Sequence, residues 1–155
     1  MSRLVNSDDA HEALCRRCGQ SCHFAVPVNG LPVVVDDLHC RFLARAPSPA
    51  TGFVCSVYEE RFERAPWCAT SDEALAAGLL AQDCPYTSKT SGYRGKTRLS
   101  ERLMAQVQPH IRAHVLTEGV PAGASRDGFL RFLARTGGGQ WSLRVDGDRL
   151  RADPT

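Results

Sequence analysis

The chemistry of this chain is concentrated in seven cysteines, three of which fall in CRRCGQSC, residues 15–22. Cys15 and Cys18 form a Cys-x2-Cys pair, which puts two thiolates on one tight turn where both can reach one metal. Gly19 lets that turn adopt a backbone conformation that other residues resist. The pattern predicts metal ligation by all seven cysteines, with at least four bound in the folded protein: Cys15, Cys18, Cys22, Cys40, Cys55, Cys68 and Cys84.

The sequence context disfavours disulfides as the role of these cysteines. The start, MSRLVNSDDAHEALC, has no apolar signal-peptide core and carries acids early, so we expect a cytoplasmic protein in a reducing compartment. Taken alone, Cys40 or Cys55 is better explained as a small buried hydrophobic residue, but seven cysteines together are not. The net charge of +2, the scattered arginines and the lack of a long apolar segment predict neither nucleic acid nor membrane as a partner.

The spacing does not identify the metal. A zinc ribbon has two Cys-x2-Cys pairs and this chain has one, while Cys84-Pro85 resembles the end of a bacterial ferredoxin run whose full spacing is absent. Iron, alone or in an iron–sulfur cluster, and zinc both stay open, with a slight preference for iron. His23 and His39 each adjoin a cysteine and could complete a Cys3His site.

Two other histidines, His110 and His114, are four residues apart in a predicted helix, which puts two imidazoles on one face. The carboxylate that accompanies such pairs in metalloproteases is missing. We therefore interpret them as a surface or structural pair.

The elements that must position the cysteines are short. Asn29-Gly30 predicts a two-residue hairpin turn between apolar strands. The segment FVCSVYEERF is expected to begin as a strand, and TSDEALAAGLLAQ to form a helix with a capping box between Thr70 and Glu73. The fold class is therefore α+β: a small, irregular, metal-stapled module with short strands and helices.

The chain changes character after Thr97, where no cysteine occurs. The periodicity predicts a helix over residues 98–116, whose apolar stripe consists of Leu99, Leu103, Val107, Ile111 and Val115. Pro109 should kink or restart this helix. A helix capped by Ser125 and a hairpin turning at Asp146-Gly147 follow. We predict a cysteine-cluster metal-binding module over residues 1–96. Residues 97–155 are then a helix–helix–hairpin appendage packed on that module or on a second copy.

Three polar or aromatic residues near the cysteines have open roles. Arg61 could clamp a carboxylate substrate or orient a ligand thiolate, but a loop held by Arg–Glu pairs is the preferred interpretation. Trp67 is expected to pack over the cluster, and Tyr93 to dock its loop on the module.

Five motifs occur in a fixed order along the cysteine-containing part of the chain: CRRCGQSC, CRFL, CSVYEERFERAPWC, LLAQDCPY and GYRGK. Together they resemble the YkgJ-type cysteine-cluster family, described as zinc- or iron-chelating proteins, and within it the YcgN-like branch. The resemblance covers about residues 12–96 and implies metal binding without naming a reaction. The family has two adjacent cysteines where this chain has Ser21-Cys22. Ser21 marks an open coordination position, the replacement of one thiolate by a histidine such as His23, or the loss of one site, and we favour the loss.

Two classes of function follow. The first is a cytosolic metal-binding protein, an accessory or structural module that serves an unknown protein or small-molecule partner. The alternative is an iron-dependent metalloenzyme that carries out redox or modification chemistry on a small molecule or peptide. The sequence alone leaves open whether the protein is an enzyme.

Overall fold

The computed structural model describes residues 20–45, 52–84, 87 and 91–155, which form the predicted α+β fold. Cys15 and Cys18 lie outside the described residues. The strands are β1 (His23–Val28), β2 (Leu31–His39), β3 (Leu43–Arg45), β4 (Phe53–Cys55), β5 (Val120–Pro121), β6 (Trp141–Asp146) and β7 (Arg149–Pro154). The α-helices are α1 (Arg61–Arg64), α2 (Ser71–Ala77), α3 (Glu101–Glu118) and α4 (Arg126–Gly137).

The first hairpin forms at the predicted turn. Asn29 and Gly30 have φ of 52° and 82°, the left-handed values that a tight hairpin turn requires. Strands β1 and β2 are antiparallel, and their far ends pair His23 with His39. This register places the residue before β1, Cys22, next to the residue after β2, Cys40, at the open end of the hairpin.

The middle of the chain is built from short pieces. Strands β3 and β4 pair antiparallel, and the strand predicted from FVCSVYEERF ends at Cys55, before a 3-10 turn and the single helical turn α1. Helix α2 has the predicted capping box, but it ends at Ala77 rather than continuing to residue 82. The reason is Gly78, which takes a left-handed φ of 72° and terminates the helix.

The C-terminal part contains both predicted helices and the hairpin. Helix α3 is capped by Ser100 and does not restart at Pro109, which lies inside one continuous helix. Helix α4 is capped by Ser125 as expected. In the hairpin of β6 and β7, Asp146 pairs with Arg149, so the two loop residues lie one position later than predicted, at 147 and 148.

The hydrophobic core crosses the predicted boundary at residue 97. Val33 and Leu38 of the first hairpin belong to the same buried cluster as Ile111 of α3 and Phe129 of α4. The α3 stripe is buried only in part, since Leu103 is 48% exposed while Ile111 and Val115 are 1% exposed. The two parts therefore share one core, although the division into two units stays a prediction. Within the described residues, no helix combines the length and apolarity needed to cross a membrane.

Candidate cysteine cluster

Two cysteines meet at the open end of the first hairpin. Cys22 ends the 3-10 turn that precedes β1, and Cys40 directly follows β2. The Cys40 backbone N–H donates to the Cys22 carbonyl at 2.7 Å, because the pairing of His23 with His39 holds the two flanking segments side by side. Residues 18 positions apart in sequence are thus brought together by strand register.

Cys55 and Cys68 reach the same region from later segments. Cys55 pairs across the ladder with Leu43, whose N–H donates to the Cys40 carbonyl at 3.0 Å. Cys68 follows Trp67, whose indole Nε1–H donates to Cys40 Sγ at 3.3 Å. Cys22, Cys40, Cys55 and Cys68 are free thiols, and together they constitute what we call the cysteine cluster.

Burial and neighbouring cysteines raise the pKa values of two members of the cysteine cluster, Cys22 and Cys68. Burial, followed by the neighbouring charges of Cys40, Cys68 and Cys55, raises the pKa of Cys22 from 9.0 to about 11. A hydrogen bond with the Ser21 side chain acts in the opposite direction. Burial also raises the pKa of Cys68, with further contributions from Cys55 and Cys40. Without a compensating cation, Cys22 and Cys68 favour the neutral thiol.

Donors and cations nevertheless surround the cluster. Cys40 Sγ accepts from Trp67 and also from the Phe42 backbone N–H at 3.4 Å. The positive charge of Arg61 lowers the pKa of Cys68, against the effect of burial. Such N–H and guanidinium groups stabilise the thiolate form, which is the form that binds metal.

Lys96 lies beside the cysteine cluster, near Cys22, and was not predicted from the sequence. It is only 6% exposed, and its ammonium donates to the carbonyls of His23 at 2.6 Å and Ser21 at 3.1 Å. Burial lowers the pKa of Lys96 from 10.5 to about 8, while the charge of Cys22 acts in the opposite direction. A lysine is seldom buried without a negative partner, so its burial could not be expected from residue type. The signal in the sequence that could have pointed to Lys96 was its place in GYRGK, a motif of the family resemblance.

The other predicted residues lie as follows. Arg61 donates to the Tyr58 carbonyl at 2.8 Å and lies 3.9 Å from the Tyr58 ring centroid. In the described structure, residues 58–64 contain no Arg–Glu ion pair, so the preferred interpretation of that loop was wrong. Trp67 packs beside Cys40 as expected, stacked on Phe42 with ring centroids 6.1 Å apart. Tyr93 docks its loop by hydrogen bonds to the Leu80 backbone, both 2.9 Å.

Cys84 and the histidines occupy different places. Cys84 lies near Tyr93, whose pKa is raised chiefly by burial; the hydrogen bond to Leu80 lowers it, and the charge of Cys84 adds a smaller increase. His23 and His39 face each other across β1 and β2, with ring centroids 5.7 Å apart. His110 and His114 both lie on α3, where His110 is exposed and His114 is half-buried.

The thiols of the cysteine cluster are the donor type that a soft metal prefers, but their spacing in this structure does not suit a metal ion. In the described ranges, no three His, Cys, Asp or Glu side chains are grouped closely enough to hold a metal ion as they stand. Cys15 and Cys18 are the remaining thiols near Cys22 in sequence. Whether all seven cysteines are ligands stays a prediction.

Known proteins add little to this description. No family model matches the chain. A protein of Methanocaldococcus jannaschii, described only as uncharacterized, is 32% identical over 84 residues, which are 53% of this chain and 57% of that protein. The chain thus spans less than two thirds of the relative it matches. No solved structure matches. The resemblance to the YkgJ-type family therefore stays an expectation.

Proposed function

We propose that this protein binds iron, an iron–sulfur cluster or zinc through its cysteines and serves as an accessory or structural metal module. The observation that carries the proposal is the convergence of four thiols from four chain segments, Cys22, Cys40, Cys55 and Cys68, beside a buried ammonium. Four cysteines used only as small hydrophobic residues would need neither N–H donors on sulfur nor a buried lysine.

Charge balance supports a bound cation. Burial raises the pKa of Cys22 to about 11, and the repulsion between neighbouring thiolates contributes to the increase. A metal cation reverses that balance, because it binds thiolates and releases their protons. Lys96 and Arg61 would then offset part of the remaining negative charge, since the charge of Cys22 raises the pKa of Lys96 and the charge of Arg61 lowers the pKa of Cys68.

Cys15 and Cys18 would complete the ligand set. They lie seven and four residues before Cys22, and the Cys-x2-Cys spacing suits two ligands of one metal. Bound iron would supply one-electron chemistry, whereas zinc would supply folding energy and Lewis acidity. We favour iron slightly, on the sequence pattern that includes Cys84-Pro85.

The test is metal analysis of the full chain purified without oxygen. Elemental analysis and an absorption spectrum distinguish coloured iron or iron–sulfur protein from colourless zinc protein. We expect Cys40→Ser and Cys68→Ser to lose most of the bound metal. Ser56→Ala is the matched control, because Ser56 is exposed and directly follows Cys55. A parent protein without stoichiometric metal, or cysteine variants that retain the parent's metal, would contradict the proposal.

A further inference from the structure

A cavity of about 590 Å³ lies at the open end of the first hairpin, outside the cysteine cluster. His23, His39 and Phe53 are among the residues that line it. The His23 and Phe53 rings meet edge to face, with centroids 5.7 Å apart. This volume lies within the range of pockets that hold small molecules.

Strand register explains how the second hairpin contributes to this cavity. Leu43 pairs with Cys55, and Arg45 pairs with Phe53. Residues directly opposite in a ladder share a face, as do residues two apart along a strand, so all four lie on one face of β3 and β4. Leu43, Arg45 and Phe53 line the cavity, and Cys55 belongs to the cysteine cluster. The cavity and the cluster are therefore neighbours on one surface.

The charge of the cavity is positive. Three arginines line it, Arg45, Arg98 and Arg131, against one aspartate, Asp36. Asp36 pairs with Arg98, while Arg131 pairs at 3.3 Å with Asp37 beside the cavity.

Two positive charges are left without a carboxylate of their own. Asp37 is shared with a further arginine, Arg135, at 2.8 Å, so three arginines pair with the two aspartates and Arg45 adds a fourth positive charge. The Arg45 guanidinium lies 4.9 Å from the Phe53 ring centroid, and no carboxylate in the described part of the chain pairs with it. An arginine stacked on an aromatic ring keeps its N–H edge available for a ligand.

We propose that this cavity binds a small organic oxyanion, a carboxylate or a phosphate ester with an apolar body. Arg45 and Arg98 pair with the anionic group, because guanidinium forks match both carboxylate and phosphate oxygens. Phe53 and Leu43 contact the apolar body. The inference does not depend on metal binding, since no cysteine is among the described residues that line the cavity. Its failure would leave the metal proposal standing.

The experiment is calorimetric titration of the full chain with three probes of similar shape. Benzoate and phenyl phosphate carry the two oxyanions, and benzamide is the neutral control. We expect saturable binding of at least one anion and none of benzamide. The anion that binds more tightly identifies the class of ligand.

Three variants assign the binding to the cavity. Arg45→Gln should weaken anion binding about tenfold, the effect of removing one charged hydrogen-bond partner. Asp36→Asn, at a side chain that is 73% exposed, should tighten it about threefold by releasing Arg98. Arg144→Gln is the matched control, because Arg144 lies on β6, pairs with Asp153 at 2.7 Å and is absent from the cavity wall.

Several results would overturn the inference. These are no saturable binding of either anion at millimolar concentration, binding of benzamide as tight as that of the anions, and equal weakening by Arg45→Gln and Arg144→Gln. Equal weakening would mean that only the general surface charge attracts the probe. If Arg45→Gln fails to fold, a lack of tightening in Asp36→Asn overturns the inference by itself.

Discussion

Gly123, in the C-terminal part, packs closely against Trp67, the residue that donates a hydrogen bond to Cys40 of the cysteine cluster. A Cβ on Gly123 would lie 2.3 to 2.6 Å from three atoms of the Trp67 indole ring. The Gly123 backbone cannot easily retreat, because its carbonyl accepts from the Arg41 N–H at 2.9 Å and Ala124 bridges to Cys40. In a Gly123→Ala variant the Trp67 ring must therefore move, and its hydrogen bond to Cys40 Sγ breaks.

The expected loss of stability follows from two terms. Forcing a methyl group into a packed site costs about 1–3 kcal/mol. Losing the Trp67 hydrogen bond costs about 1 kcal/mol more. We expect the free energy of unfolding to fall by about 3 kcal/mol, which corresponds to a decrease in Tm of about 6–12 °C for a domain of this size.

The assay is a double-mutant cycle in urea, followed by circular dichroism. In a Trp67→Leu background the ring is absent, so Gly123→Ala should cost less than about 1 kcal/mol. Metal content is measured on each variant to relate the loss of stability to the cluster. If Gly123→Ala costs the same in both backgrounds, the clash with Trp67 is not the cause and the reasoning fails.

Three further predictions concern the core, a helix cap and the metal. Phe129→Ala should lower the free energy of unfolding by about 3–5 kcal/mol, because Phe129 is fully buried. Leu103→Ala, at a site 48% exposed, should lower it by less than about 1 kcal/mol. Similar losses for the two variants in urea unfolding would contradict the core assignment. Thr70→Ala should cost about 1 kcal/mol by removing the capping-box bond to the Glu73 N–H, and an unchanged Tm would argue against that cap. Removing metal with a strong chelator should lower Tm and open residues 12–96 to protease, and an unaltered digestion pattern would count against structural metal.

Local sequence signals predicted the elements whose geometry is local. The Asn29-Gly30 turn, the Thr70 capping box and the Ser125 cap form as predicted, because each depends on the backbone preference or side chain of nearby residues. An error occurred where a nearby residue opposed the pattern, as at Gly78. Helix α3 does not restart at Pro109, and a kink there stays a prediction.

The sequence by itself determined that this chain is rich in thiols and has the turns and caps of an α+β fold. Only the tertiary structure decided which thiols meet, because the contacts of Cys22 with Cys40, and of Cys40 with Trp67, join segments far apart in the chain. The same holds for Lys96, which reaches His23 because residues 96 and 97 run alongside Ala81 and Val33. Strand register and core packing set these distances, and neither can be read from local residue patterns.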